Sequence, residues 1–388
     1  MTYDTNIPQG YKATALGIIP QEWEVVRFGK VMKCFSGGTP KSSNPDFFGG
    51  KIPFIKSGEI HLSTTEQNLS EEGLNQSAAK MVNKGDLLYA LYGANSGDCA
   101  ISKIEGAINQ AILCIRTDAF DIPYLLAVLE LNRPYYTDVY LQGGQGNLSA
   151  EIVKSYMIAV PPLAEQRKIA EVLGMWDEAI EKQVRLIEKL DLRKRALMQR
   201  LLSAKLRLPG FSEKWEEVEL GEVLSYEQPT PYIVRDTNYQ NNYKTPVLTV
   251  GKTFILGYTN EGNGICKNIP VILFDDFTTD SRYIDFEFKV KSSATKLLRV
   301  KGQNNLYFIF CALQCFKYPI GGHERHWISK FQYLTIALPS IEEQTAIAEV
   351  LTAADREIEL AKEKLERLRR QKRGLMQQLL TGEKRVKY

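Results

Sequence analysis

The stretch AEQRKIAEVL, which starts at Ala164, returns almost unchanged as EEQTAIAEVL at Glu342, about 178 positions further on. Between residues 161–202 and 339–380 about half of the positions are identical, and the alignment needs no gap. The identities include Gln166/Gln344, Ile169/Ile347, Asp177/Asp355, Ile180/Ile358, Lys194/Lys372 and the LMQ triplets at Leu197 and Leu375. Helical composition alone does not preserve such spacing, so the chain carries a duplicated module. A second echo precedes each copy. EWEVVRFGKV at Glu22 matches KWEEVELGEV at Lys214, pairing Trp23 with Trp215 and Gly29 with Gly221 at an offset of about 192. The plan written twice is a lead-in, a globular segment and a long helix.

The two helices are the clearest local prediction. Each opens after prolines or Pro-Ser (VPPLAEQ, LPSIEEQ) with acidic residues in its first turn, as helix starts prefer, and each is expected to close in a basic last turn. A heptad frame places Leu173, Ile180, Ile187, Lys194 and Leu201 at a, and Ile169, Trp176, Gln183, Leu190 and Leu197 at d. In the second copy a holds Leu351, Ile358, Leu365, Lys372 and Leu379, while d holds Ile347, Ala354, Ala361, Leu368 and Leu375. A mostly apolar seam with this period predicts a coiled coil. The lysine shared at one a position either fixes register or snorkels at a frayed end; the sequence leaves both open. Because a globular segment separates the helices, no tight hairpin is needed and they can lie antiparallel, with a pseudo-two-fold relation between the halves. At about 40 residues each would be about 60 Å long.

The resulting expectation is an α+β chain with two pseudo-symmetric mixed globular domains separated by two long helices that form an antiparallel coiled coil. The segments are 1–160 (lead-in and first domain), 161–205 (first helix), 206–338 (second domain) and 339–388 (second helix and tail). Apolar residues at 44% and charged residues at 24% allow ordinary globular cores. No apolar run is long enough to cross a membrane. The opening MTYDTNIPQGYKATALGIIPQEW has no basic region followed by an apolar one, so a cytoplasmic protein is expected. The six cysteines lie mostly in apolar runs, as reduced buried thiols do. Cys311 and Cys315, one helical turn apart, lack further ligands nearby, so core packing is expected rather than a metal pair.

Enzyme motifs fail when tested. SNPDFFGG is close to the NPP[YF] grip of adenine methyltransferases, but Asp46 replaces the second proline and no FxGxG cofactor loop accompanies it, so a turn is expected. TVGKT lacks the first glycine of a phosphate loop, since Pro246 stands there. GGQGN at Gly143 has no βαβ frame, and GGHERHW supplies too few ligands for zinc. No nucleophile, base and orienter can be assembled from spacing.

The loops of both globular segments are rich in Gly, Lys, Ser, Thr, Asn and Tyr, a composition that suits DNA phosphates and base edges and also suits ordinary solvated loops. A net charge of +3 does not decide between these. DNA-contact candidates in the first domain are Lys41, Lys51, Lys56, Tyr92, Asn95, Ser96 and Gln145; in the second they are Lys244, Lys252, Tyr258, Asn260, Thr278, Arg282, His323 and Arg325.

Taken in order, lead-in with Trp, variable domain, PPLAEQRKIAEVL, lead-in with Trp, variable domain and LPSIEEQTAIAEVL…LMQQLL, the chain resembles the specificity subunit of type I restriction-modification enzymes over essentially its whole length. GGTPKSSNPDFFGGKIPFIKSGEI and QPTPYIVRDTNYQNNYKTPVLTVGKTFILGYTNEGNGI look like the openings of two types of that family's target-recognition domain. LPS in place of PPL, and Thr345 where a basic residue is usual, are the departures. The resemblance implies a chain that is not catalytic alone and holds no cofactor. Its two domains would each read half of a bipartite site in double-stranded DNA, with the helices as spacer. Two modification subunits, which bind S-adenosylmethionine and methylate adenine, would dock on it, and restriction subunits using ATP and Mg would join that core. The rival readings are a methyltransferase or nuclease with its own active site, and a coiled-coil adaptor with no DNA role.

Overall fold

In a computed structural model the chain is described over residues 7–140, 147–250, 253–316 and 326–387. It forms two compact units: Met1–Gln183 with Lys364–Tyr388, and Val184–Glu363. The division therefore passes through the middle of both long helices, where a segmentation by chain order would keep each helix whole.

The first unit opens with a hairpin, β1 (Tyr11–Thr14) and β2 (Gly17–Pro20), then β3 (Glu24–Arg27), β4 (Lys33–Ser36), β5 (Phe48–Ile55) and β6 (Asn68–Leu69). A short helix α1 (Glu71–Asn75) precedes β7 (Lys80–Val82), β8 (Leu87–Ala90), β9 (Cys99–Ile101), β10 (Gly106–Ile108) and β11 (Ile112–Arg116). Helices α2 (Ile122–Tyr140) and α3 (Ala150–Ser155), strand β12 (Met157–Val160) and the long helix α4 (Leu163–Leu201) follow. The core sheet runs β4-β11-β8-β9, antiparallel throughout. A second sheet, β6-β5-β10-β7, contains one parallel pair, β5 with β10. Lead-in strand β3 pairs with β12, directly before α4. Helix α2 continues through Pro134.

The second unit repeats the plan. It contains β13 (Glu216–Glu219), α5 (Leu220–Val223), β14 (Leu224–Glu227), β15 (Thr245–Leu248), β16 (Ile255–Thr259), β17 (Val271–Asp275), β18 (Ser281–Ile284), β19 (Lys289–Val290) and β20 (Thr295–Val300). Helices α6 (Leu306–Gln314) and α7 (His326–Ser329), strand β21 (Thr335–Leu338) and the long helix α8 (Ile341–Leu380) complete it. Its core sheet, β14-β20-β17-β18, has the order and antiparallel sense of the first. Its second sheet, β16-β15-β19, again has one parallel pair, β15 with β19, and β13 pairs with β21 before α8. Two domains whose variable segments share little sequence thus share one topology, because the buried strands need only apolar alternation and turns at matching places.

The ends of the long helices explain their beginnings and stops. At α4 the first turn is set by Gln166 N–H donating to Pro162 O at 3.0 Å. At α8 the Ser340 hydroxyl accepts from Glu343 N–H at 3.4 Å and its carbonyl from Gln344 N–H at 2.9 Å. Both helices end in a left-handed residue, Ala204 (φ 55°) and Gly382 (φ 75°), closed by matching bonds from Leu206 N–H to Arg200 O and from Lys384 N–H to Gln378 O, both 2.9 Å. A Cβ on Gly382 would lie 2.4 Å from Pro20, so only glycine fits there. The expected basic last turn is present in α4 as Arg200 but absent from α8.

The cysteines are free. Cys99, Cys114, Cys266 and Cys311 are buried and Cys34 is half-buried, while Cys315 is exposed, contrary to the expectation of core packing, because it is the C-cap of α6 rather than part of its buried face. Burial pushes the Cys114 and Cys311 thiols up to about 12, so neither is a ready nucleophile. SNPDFFGG is the expected turn: the Asn44 side chain accepts from Asp46 N–H at 3.2 Å and Phe47 is buried. Among the described residues no helix is long and apolar enough to cross a membrane, and no cluster of three His, Cys, Asp or Glu is placed to hold a metal.

Candidate nucleic-acid interface

Each unit welds its globular head to the helices through the same cluster. In the first, the Trp23 indole N–H donates to Glu165 Oε2 at 2.9 Å, and Arg385 donates to both oxygens of Glu165 at 2.5 and 3.0 Å and to Glu22 at 2.9 Å. In the second, Trp215 donates to Glu343 Oε2 at 2.9 Å and Arg207 donates to both Glu343 oxygens at 2.7 and 2.8 Å. Glu165 and Glu343 are 0% and 1% exposed, so each carboxylate depends on its guanidinium for compensation. The adjacent glutamine ties in the head. Gln166 donates to Ala119 O and Pro161 O and accepts from Asp121 N–H, at the start of α2. Gln344 donates to Pro339 O and the Asn304 side chain and accepts from Asn305 N–H, at the start of α6. The repeated Glu-Gln of the two echo stretches is therefore a joint. It joins the start of one long helix to a lead-in Trp, to the tail of the other long helix and to the head's own helix. Arg207 and Arg385 stand about 178 residues apart, like the helices themselves, and extending the repeat frame a few residues past Leu202 and Leu380 finds them.

Along the seam the helix segments within each unit run antiparallel. In the first unit Lys372 Nζ donates to Asp177 at 2.6 Å, while Ile169 and Leu173 share a core with Met376, Leu379 and Leu380. In the second, Lys194 pairs with Asp355, Leu190 clusters with Ile358 and Ala361, and Leu201 shares a core with Ile347 and Leu351. Ile169, Leu173, Gln183, Leu190, Leu201, Ile347, Leu351, Ala354, Ile358, Ala361, Leu365 and Leu379 are buried. Trp176, Ile180, Ile187, Leu197, Leu368 and Leu375 are half-buried. The two seam lysines meet an aspartate of the opposite helix, and Asp177 and Asp355 are themselves equivalents in the repeat. That geometry favours register over snorkelling: slipping either helix would separate a part-buried lysine from its carboxylate. Asp355 also accepts from the Tyr307 hydroxyl, whose pKa burial raises, so this junction reaches the head through α6.

The candidates expected in loops are spread over both heads, but Lys51, Tyr258 and Arg282 lie within strands β5, β16 and β18. Lys41, Lys51 and Tyr92 in the first, and Lys244, Asn260, Thr278 and Arg282 in the second, are exposed; Lys56, Asn95 and Tyr258 are half-buried. Ser96 departs from the expectation of a surface reader. It is 5% exposed and its hydroxyl donates inward, to Leu91 O at 3.2 Å and Gly93 O at 2.9 Å, where it braces the turn. Gln145, Lys252, His323 and Arg325 lie outside the described residues. Arg282, in β18, lies over the Phe254 ring at 5.5 Å, which ties the β15–β16 connection to that strand.

A second brace in this head is the nearly buried Lys289. It pairs with Glu261 at 2.9 Å and donates to Asn263 O at 2.6 Å, while Glu261 accepts from the N–H groups of Arg235 and Asp236 at 2.9 and 2.7 Å. Burial opposes ionisation of Glu261, but the Asp236 N–H and then Lys289 outweigh it and hold the carboxyl below the usual range. Its folded pKa is thus depressed, so its stabilisation is present above the unfolded value of about 4.3 and is lost as pH falls through the folded one. Replacing Glu261 by Gln is expected to lower the second unit's stability at neutral pH and to flatten its acid dependence below about pH 4.5. Denaturation followed at a series of pH values checks this; an unchanged acid profile would contradict it.

A chain with two topologically matched heads, each clamped to segments of two antiparallel helices, is built to present two different loop sets from one repeated frame. The sequence pattern of the type I restriction modification DNA specificity domain matches it twice, over residues 20–190 and 212–370, and the chain belongs to that family. It is 24% identical over 98% of its length to a putative MjaX specificity subunit of Methanocaldococcus jannaschii, of which the match covers 97%. It is 44% identical to the EcoR124I/EcoR124II specificity subunit of Escherichia coli over 138 residues, a match spanning 34% of each chain. The solved S subunit from M. genitalium superposes with a TM-score of 0.59 at 15% identity, covering 98% of both chains, which establishes the shared fold.

Proposed function

We propose that this chain is the DNA-reading, non-catalytic component of a type I restriction-modification complex. Each head reads one half of a bipartite, asymmetric duplex site. The helices hold the heads a fixed distance apart, and the repeated surfaces dock two modification subunits. S-adenosylmethionine would be bound by those subunits, and ATP and Mg by restriction subunits joining them; the setting is the cytoplasm, where the DNA is. The observation that carries this reading is the duplication of the Trp–Glu–Arg and glutamine joints around heads of different sequence. Equivalent joints give two copies of one partner equivalent places to sit, while unlike heads give unlike half-sites. Sequence discrimination needs base contacts, which the variable loops can make, and phosphate contacts, which set position.

The test is to co-express the chain with its modification subunit and map methylated adenines. The expected result is one motif of two conserved half-sites separated by unspecified bases. Methylation that is independent of this chain would refute the reading, and S-adenosylmethionine bound by the isolated chain would favour an enzyme instead.

A further inference from the structure

The two core sheets can be superimposed residue by residue at one corner. In the first unit Leu91, just past β8, donates its N–H to Ala111 O at 2.8 Å, and its carbonyl accepts from Leu148 N–H at 2.8 Å. In the second, Asp276, just past β17, donates to Ala294 O at 3.3 Å and accepts from His326 N–H at 3.3 Å. Ala111 and Ala294 each directly precede the neighbouring central strand, β11 and β20. The next residues, Tyr92 and Phe277, are therefore structural equivalents, and they are 37% and 46% exposed.

Both aromatics are held on braced turns. Beyond Tyr92 the chain turns through Gly93 (φ 77°), and Ser96 N–H closes on Gly93 O at 3.0 Å. At Phe277 the Asp275 side chain accepts from the N–H groups of Phe277 and Thr278 at 2.8 and 2.9 Å, and Thr279 adopts a left-handed φ of 62°. A non-glycine residue in that region carries a conformational cost that surrounding structure must offset. The stretches YALYGANSGDCAIS and ILFDDFTTDSRYID share almost no sequence, yet both expose an aromatic at the same place. One exposed Phe on a surface needs no explanation, but a matched pair on two ordered tips does. Around Phe277 a cavity of about 270 Å³ is lined by Gln228, Asp276, Ser292, Ser293 and Lys296, the last a buried brace that donates to Gln228 Oε1 at 3.1 Å and Ser293 O at 2.6 Å. An exposed aromatic face beside amide and hydroxyl groups fits a base better than an apolar protein surface.

We propose that Tyr92 and Phe277 are the paired aromatic contacts to DNA, one against a base of each half-site. This rests on the proposed function above. The test uses the complex of the full chain with its modification subunits and duplexes carrying the mapped site, with 2-aminopurine placed singly through one half-site or the other. Phe277→Ala should weaken binding about tenfold, the scale of one base–aromatic stack, and abolish a fluorescence change confined to one half-site. Tyr92→Ala should do the same for the other half, and Phe277→Trp should restore both readouts. Wild type that discriminates the site from a scrambled duplex, with both alanine variants indistinguishable from it, would overturn this inference alone. Weakened retention of the modification subunits with unchanged DNA readouts would also overturn it, by making the aromatics protein contacts. A wild-type complex that treats site and scrambled duplex alike would overturn the DNA reading and this inference together.

Discussion

Replacing Arg207 by alanine is expected to destabilise the second unit by about 3 kcal/mol, the scale for removing one partner of a buried ion pair. The Glu343 carboxylate, in a residue 1% exposed, would keep only the Trp215 N–H as a partner for its charge. The loss is not only electrostatic, since the guanidinium also lies 5.5 Å from the centre of the Trp215 ring. Because the two units need not unfold together, the readout should be local: amide hydrogen exchange in the first turns of α8, which should quicken about 100-fold. Adding Glu343→Gln to the alanine variant should recover part of the loss, because it removes the uncompensated charge. Arg385→Ala should act in the same way on the start of α4, through Glu165. A cost below about 1 kcal/mol would place these bridges among ordinary surface pairs and would remove the joint from the account.

The helices were legible because their information is periodic and written twice. Five heptads set the seam, and a repeat without gaps sets its extent, so the sequence alone places Leu173, Leu190, Ile347 and Leu351 on it. The pairing of the seam lysines was not legible. Lys194 and Lys372 stand out as polar a residues, but their aspartates lie on the other helix, 161 and 195 residues away. The joints were hidden for the same reason. Trp23 and Glu165 are 142 residues apart, and Arg385 and Glu165 are 220 apart, so no local pattern links them. Their trace in the sequence is indirect: Glu, Gln and Arg recur at an offset of about 178, and Trp at about 192. In the heads, apolar alternation marks strands but not which strands pair, and the common sheet order of the two units is invisible in their differing loops. That is why Thr278 was singled out and its neighbour Phe277 was not: an aromatic residue between strands reads as core until the turn that exposes it is seen. Ser96 erred in the opposite direction, since a small hydroxyl in a Gly-rich loop looks available and is instead used to close the turn.

The proposed spacing role is tested most directly by deleting one heptad from the middle of both α4 and α8 and mapping methylated adenines in cells that carry the shortened chain with its modification subunit. A whole heptad keeps a and d residues on the seam, so the joints and the register of the remaining segments are retained. Seven residues at 1.5 Å per residue shorten each helix by about 10 Å, or about three base pairs of duplex. The expected result is a motif with both half-sites unchanged and about three fewer unspecified bases between them. An altered half-site with the original spacing, or the parental motif methylated in full, would contradict the account.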